Sequence, residues 1–164
     1  MIEVVDAIDR QVALPRPARR VVSLVPSETW SVAELAGLDR VVGRTDYCTE
    51  PCGRVESIPS VGGTKGFDVE AVKTLAPDLV LANKEENSRP QVEAMIDAGL
   101  PVHVSFPCTV EESLSYLESL CVLLGVDPHS AGPVGACRVA VERAASQASE
   151  SPVPVFVPIW KDRG

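Results

Sequence analysis

The sequence predicts an α/β fold: a parallel-sheet βαβ lobe entered through an N-terminal β-hairpin and followed by a long helix. Three observations carry this reading. Apolar runs of strand length alternate with segments of helical periodicity. Residues 60–83, SVGGTKGFDVEAVKTLAPDLVLAN, join a glycine-rich loop, a helix and a buried strand with no spare residues. Helix starts and stops are marked along the chain by Ser27, Asp68 and Thr109, and by Gly37, Pro77, Gly99 and Gly125.

At 164 residues with 45% hydrophobic and 23% charged content, the chain is long enough for one well-buried domain. Its formal charge of -8 argues against a nucleic-acid surface, which needs clustered Lys and Arg. A small neutral, cationic or metal-complexed ligand fits that balance. No window approaches the roughly 18 consecutive apolar residues of a membrane span, and the first residues lack the basic start and apolar core of a secretory leader. If Met1 is the native start, a cytoplasmic protein is expected.

Taken in order, residues 2–5 and 11–14 form a hairpin around Asp9-Arg10, and Pro15 and Pro17 lead into an extended linker. Residues 21–25 suit a buried parallel strand. Ser27 is placed to cap a helix reaching Ala36. A short strand at 41–43 leads into the loop 44–57. Asp68 then caps a helix carrying Val69, Val72 and Leu75 at helical spacing, and Pro77 stops it before the strand 79–82. A helix over 90–98 and a strand over 102–105 complete the repeating pattern, which implies right-handed crossovers.

Two longer helices follow. Thr109 and Glu112 make a capping box, with Val110, Leu114, Leu117, Cys121 and Leu124 as the apolar stripe. Asp127-Pro128 opens a second helix expected to reach Ser149, with Val134, Cys137, Val141 and Ala145 facing inward. Residues 153–159 read as a fresh strand, the first of a domain beyond this sequence or an addition to the existing sheet. The five cysteines show no repeated CxxC pair, so neither a disulfide framework nor a zinc site is indicated. Cys121 and Cys137 read as core residues, and Cys48 and Cys52 as loop thiols.

Candidate contacts follow from the loops. Tyr47 offers a stacking surface for a flat ligand, Lys65 and Lys84 can meet acidic groups, and the GGTKG segment is the place to look for an anion. His103 and His129 lack a partner at metal-ligand spacing. The nucleotide-binding and hydrolase signatures are absent, so no catalytic residue and no cofactor is assigned.

The hairpin VVDAIDRQVALPRPARRVVSLVPSET, then YCTEP, IPSVGGTKGFDVEAVKTLAPDLVLA and the long helix resemble, in order and spacing, the substrate-binding proteins of ABC importers for vitamin B12, iron-siderophores and haem. The B12-binding branch is the most similar. The resemblance implies an N-terminal lobe over 1–126, a bridging helix over 127–150, and the beginning of a second lobe at 151–164. It also implies a periplasmic or cell-envelope location and a cobalamin-like or ferric-siderophore ligand held between lobes. The loops implied to face it carry Ser27, Glu28, Tyr47, Thr64, Lys65, Gly66, Phe67, Asn83, Lys84 and Phe106, with Trp160 from the second lobe. Tyr47 matches an aromatic that touches the corrin ring, and Thr64 stands where the B12 binders carry tryptophan. Glu70 matches the carboxylate that docks on an arginine of the membrane permease. The alternative reading of the same scaffold is a cytoplasmic α/β enzyme or regulatory domain.

Overall fold

The computed structural model describes residues 1–130, 132–148 and 154–156. Strands β1 (Ile2–Val5) and β2 (Gln11–Leu14) pair antiparallel as the hairpin. Four parallel strands, β3 (Val21–Ser23), β4 (Val41–Arg44), β5 (Leu79–Asn83) and β6 (Val102–Ser105), form one sheet in the order β4-β3-β5-β6. The chain moves from β3 to β4 in one direction and from β5 to β6 in the other. The order therefore reverses between β3 and β5, and open α/β sheets place their ligand crevice outside the carboxyl ends of such a strand pair.

Alternation along the strands divides the core in two, because successive side chains point to opposite faces. Val21, Leu79 and Leu81 pack against Val32 of α1 (Pro26–Ala36) and Leu120, Leu123 and Leu124 of α4 (Val110–Leu124). Val22, Leu24, Val80, Ala82, Val102 and Val104 pack against Val72 of α2 (Val69–Thr74) and Val92 and Met95 of α3 (Arg89–Asp97). Each fully buried side chain of this size contributes about 1.5–3 kcal/mol. The hairpin turn covers the β6 edge, with the Ala7 amide donating to the Val104 carbonyl at 2.8 Å and an Arg10 guanidinium nitrogen to that of Val102 at 2.7 Å.

Several expected ends shift. Helix α1 begins one residue before Ser27, with extended Val25 as its cap and Pro26 supplying the first helical φ, so Ser27 is not the cap. Asp68 does cap α2, accepting from the Glu70 and Ala71 amides, but the helix stops at Thr74 and Ala76 takes φ 45 before Pro77 is reached. The Thr109–Glu112 capping box forms, and Gly125 closes α4 in the left-handed conformation.

Helix α5 is described over Gly132–Ser146, starting later than Asp127-Pro128 because those residues form a turn in which Asp127 accepts from the His129 amide. Val134 is buried against Cys121. Cys137 is exposed, a correction to its expected core position, because α5 meets α4 along the Val134 side and turns Cys137 outward. The expected strand at 153–159 and Trp160 fall outside the described residues, except that 154–156 are exposed without regular structure.

Candidate functional site

The carboxyl ends of the parallel strands gather the loops that the sequence singled out. Loop 62–67 is closed at its base by an antiparallel bridge between Gly62 and Phe67, and the Asp68 amide donates to the Val61 carbonyl at 2.7 Å. Gly62 sits at φ 104, where a Cβ would lie 2.9 Å from the Gly66 carbonyl oxygen, so only glycine fits. The loop after β4 docks on it through the Asp46 amide, which donates to the Gly62 carbonyl at 2.8 Å. That contact sets Tyr47, 65% exposed, beside Gly63.

Across the crevice, Lys84 places its ammonium 5.1 Å from the centre of the Phe106 ring. The residues just before them are also linked, the Asn83 side-chain amide donating to the Ser105 hydroxyl at 3.2 Å. Tyr47, Thr64, Lys65, Gly66, Lys84 and Phe106 thus lie on loops at one end of the sheet, and Ser27 is exposed at the start of α1. Two expected ligand contacts are corrected. Phe67 is 2% exposed and fills the core between Val61 and Val72, anchoring its loop from below. Glu28 is also 2% exposed, turned under the rim from the first turn of α1.

Glu28 belongs to a buried polar layer that caps the core. Its carboxyl accepts from the Ser105 hydroxyl, while its second oxygen, the Tyr116 hydroxyl and His103 Nδ1 have no hydrogen-bond partner among the described residues. Burial pushes the Glu28 pKa up to about 8, against the opposing pull of Ser105 and of the neighbouring Tyr116. Removal from water thus favours the neutral form of the acid. Burial also lowers the pKa of His103, opposed by Asp6, and burial followed by the proximity of Glu28 raises that of Tyr116. The His103 ring lies 5.8 Å from that of Tyr116, and both border a cavity of about 340 Å³ beside the hairpin turn.

Cys48 lies in the loop after β4, as expected, but is buried there. Its sulfur receives the Thr29 hydroxyl at 3.1 Å and lies 3.2 Å from that of Thr45. Thr29 lies 2.9 Å from Ser23 in the same layer. Among the described residues no group of three His, Cys, Asp or Glu side chains is arranged to hold a metal ion. Glu70, expected as a docking carboxylate, is exposed on α2 but is bonded to Lys73 at 2.7 Å rather than free.

Sequence reasoning missed Asn87. Its Oδ1 accepts from the Asn83 amide at 2.8 Å, and its Nδ2 donates to the Leu24 carbonyl at 3.1 Å and the Thr64 carbonyl at 2.8 Å. Gln91, one turn on, donates to the Phe67 carbonyl. A polar residue four positions past a strand end, before a proline-started helix, was the available signal, but its partners lie 63 and 23 residues away along the chain.

A parallel sheet with a reversal of strand order, and loops collected at that reversal, makes this an open α/β lobe of the kind that places ligands at such a crevice. No family model matches the chain. It is 33% identical over 104 residues to the vitamin B12-binding protein of Yersinia pestis (strain Pestoides F), a match covering 63% of this chain and 36% of that protein. Among solved structures, the periplasmic vitamin B12-binding protein of Vibrio cholerae superposes with a TM-score of 0.69 at 25% identity, over 81% of this chain and 52% of that one. A periplasmic haem-binding protein from Pseudomonas aeruginosa does so with a TM-score of 0.69 at 27% identity, over 79% and 46%. The chain is thus similar, in fold and over part of its sequence, to periplasmic binding proteins for vitamin B12 and haem, and it spans about half the length or less of these relatives. These relatives are named as binding proteins.

Proposed function

We propose that this chain is the ligand-capturing lobe of an ABC-importer substrate-binding protein that takes a flat metal chelate, cobalamin-like or ferric, and presents it to a membrane permease. The observation that carries the reading is the placement of Tyr47, Thr64, Lys65 and the Lys84–Phe106 pair on loops at one end of the sheet, around the reversal of strand order. An exposed phenol ring and a second ring carrying a cation suit a planar ligand with polar edges. Permease docking is assigned to Glu70, in the first turn of α2, where the helix dipole favours a carboxylate. A cell-envelope location follows from this role, in line with relatives named as periplasmic.

Trp30, exposed on α1, is the reporter for the test. Titration with cyanocobalamin, haemin and a ferric siderophore is expected to quench its fluorescence saturably for one of the three. No saturable response to any of them would remove the chelate reading.

A further inference from the structure

We propose that Asn87 is the positioning residue of the ligand rim: its one side-chain amide locks the Thr64 loop, the Asn83–Lys84 turn and the end of β3 into a rigid unit. The inference rests on the binding-lobe reading and adds to it the residue on which the spacing of the rim depends.

The three groups that Asn87 holds come from three separate places in the chain. Leu24 is the residue after β3, Asn83 is the last residue of β5, and Thr64 lies in the loop before α2. β3 and β5 are the two strands between which the sheet order reverses, so Asn87 sits under the crevice itself. It is 5% exposed and uses both amide hydrogens and its carbonyl oxygen. Two of its partners are carbonyl oxygens, so a side chain that only accepts cannot replace it. Its third partner is an amide, so one that only donates cannot replace it either.

The residues it fixes lead directly to the rim. Thr64 is followed by exposed Lys65, and Asn83 by Lys84, which stands over Phe106. The second hold on the glycine loop, from Gln91 to the Phe67 carbonyl, is at the loop base and leaves the tip to Asn87. Among the described residues, without the Thr64 contact the tip keeps only the 3.3 Å bond from the Gly66 amide to the Gly63 carbonyl. Lys65 would then lose its fixed distance from Lys84, and a ligand spanning both would have to order the loop on binding, which weakens affinity.

Hydrogen exchange on the 164-residue chain, compared residue by residue at fixed pH with Asn87→Ala and Asn87→Asp, tests this without any ligand. In Asn87→Ala, exchange at the Asn83 and Gly66 amides is expected to rise at least tenfold (~10-fold or more), with Val80 and Leu81 unchanged. In Asn87→Asp the carboxylate still accepts from Asn83 but repels the Thr64 carbonyl, so Asn83 stays protected while Gly66 loosens. Unchanged Gly66 exchange in both variants, or equal loosening of Asn83 and the strand amides, would overturn the proposal. A parallel titration with cyanocobalamin and haemin separates the two readings. If wild type binds either, Asn87→Ala weakens it about tenfold, and equal affinity counts against Asn87. If wild type binds neither, the chelate reading fails while the exchange data still decide the role of Asn87.

Discussion

Ser105 donates its hydroxyl hydrogen to the Glu28 carboxyl, joining the last residue of β6 to the first turn of α1 beneath the ligand rim. Because burial pushes the Glu28 pKa from its ordinary 4.5 to about 8, the folded protein holds a proton that the unfolded chain releases near 4.5. The folded state therefore binds more protons between those values, and stability contributed by this group falls as pH rises from about 4.5 to about 8, then levels off. Glu28→Gln keeps a neutral group of the same shape and should flatten that slope. Urea unfolding of wild type and variant from pH 4.5 to 8.5 checks it, and parallel curves would contradict a neutral buried Glu28.

Phe67 gives a prediction of opposite kind to the one its sequence position suggested. Its ring is sealed in the core, so Phe67→Ala should cost on the order of 3–5 kcal/mol of stability, as removal of a buried aromatic does. A loss of ligand affinity with unchanged unfolding would instead mean that the ring faces the crevice. Much of the fold was legible because its signals are local. The Asp68 cap, the Thr109–Glu112 box and the Gly125 stop each involve residues within a few positions, and the strand runs announced themselves by composition. What stayed hidden depends on partners far apart in sequence. Periodicity suggested that Cys137 lies on an apolar stripe, yet not that α5 would turn it outward. Loop chemistry placed Cys48 in a loop, yet did not show that Thr29 and Thr45 would enclose it there. Asn87 carries a local sign of its bond to Asn83 four residues back, but none of its bonds to Leu24 and Thr64.

Tyr47 and Phe106 supply the aromatic surface of the proposed site. If a planar chelate stacks on either ring, each alanine variant should weaken binding by roughly 0.5–1.5 kcal/mol, up to about tenfold, without changing stability appreciably. Tyr47 is exposed, so its removal leaves no cavity. Isothermal titration of wild type, Tyr47→Ala and Phe106→Ala against the responding chelate tests the pair. Three identical affinities would place the ligand elsewhere.

Glu70 is 78% exposed at its side chain and pairs with Lys73 on the same helix. Such surface pairs contribute about 0–1 kcal/mol, so Glu70→Ala should leave unfolding nearly unchanged. If the carboxylate docks on a permease, the same variant should leave ligand affinity intact and reduce ligand delivery in a reconstituted transport assay. Transport equal to wild type would reduce Glu70 to a favourable first-turn acid.

Gly62 and Gly63 look equivalent in the sequence and differ sharply in the structure. At Gly62 the backbone has φ 104 and an added Cβ would meet the Gly66 carbonyl oxygen at 2.9 Å, whereas at Gly63 it would meet only the Tyr47 ring at 3.6 Å. A methyl group at Gly62 must therefore force the closing Gly62–Phe67 bridge apart, and that bridge is what holds the loop above its buried phenylalanine. Gly62→Ala is expected to destabilise the protein by about 1–3 kcal/mol, the scale of a strained backbone position, while Gly63→Ala stays within about 0.5 kcal/mol. Because Gly63 borders Tyr47, its alanine variant should still alter ligand affinity, so thermal unfolding and titration should separate the two positions in opposite ways. Equal destabilisation by both would show that the loop is not closed at its base as described.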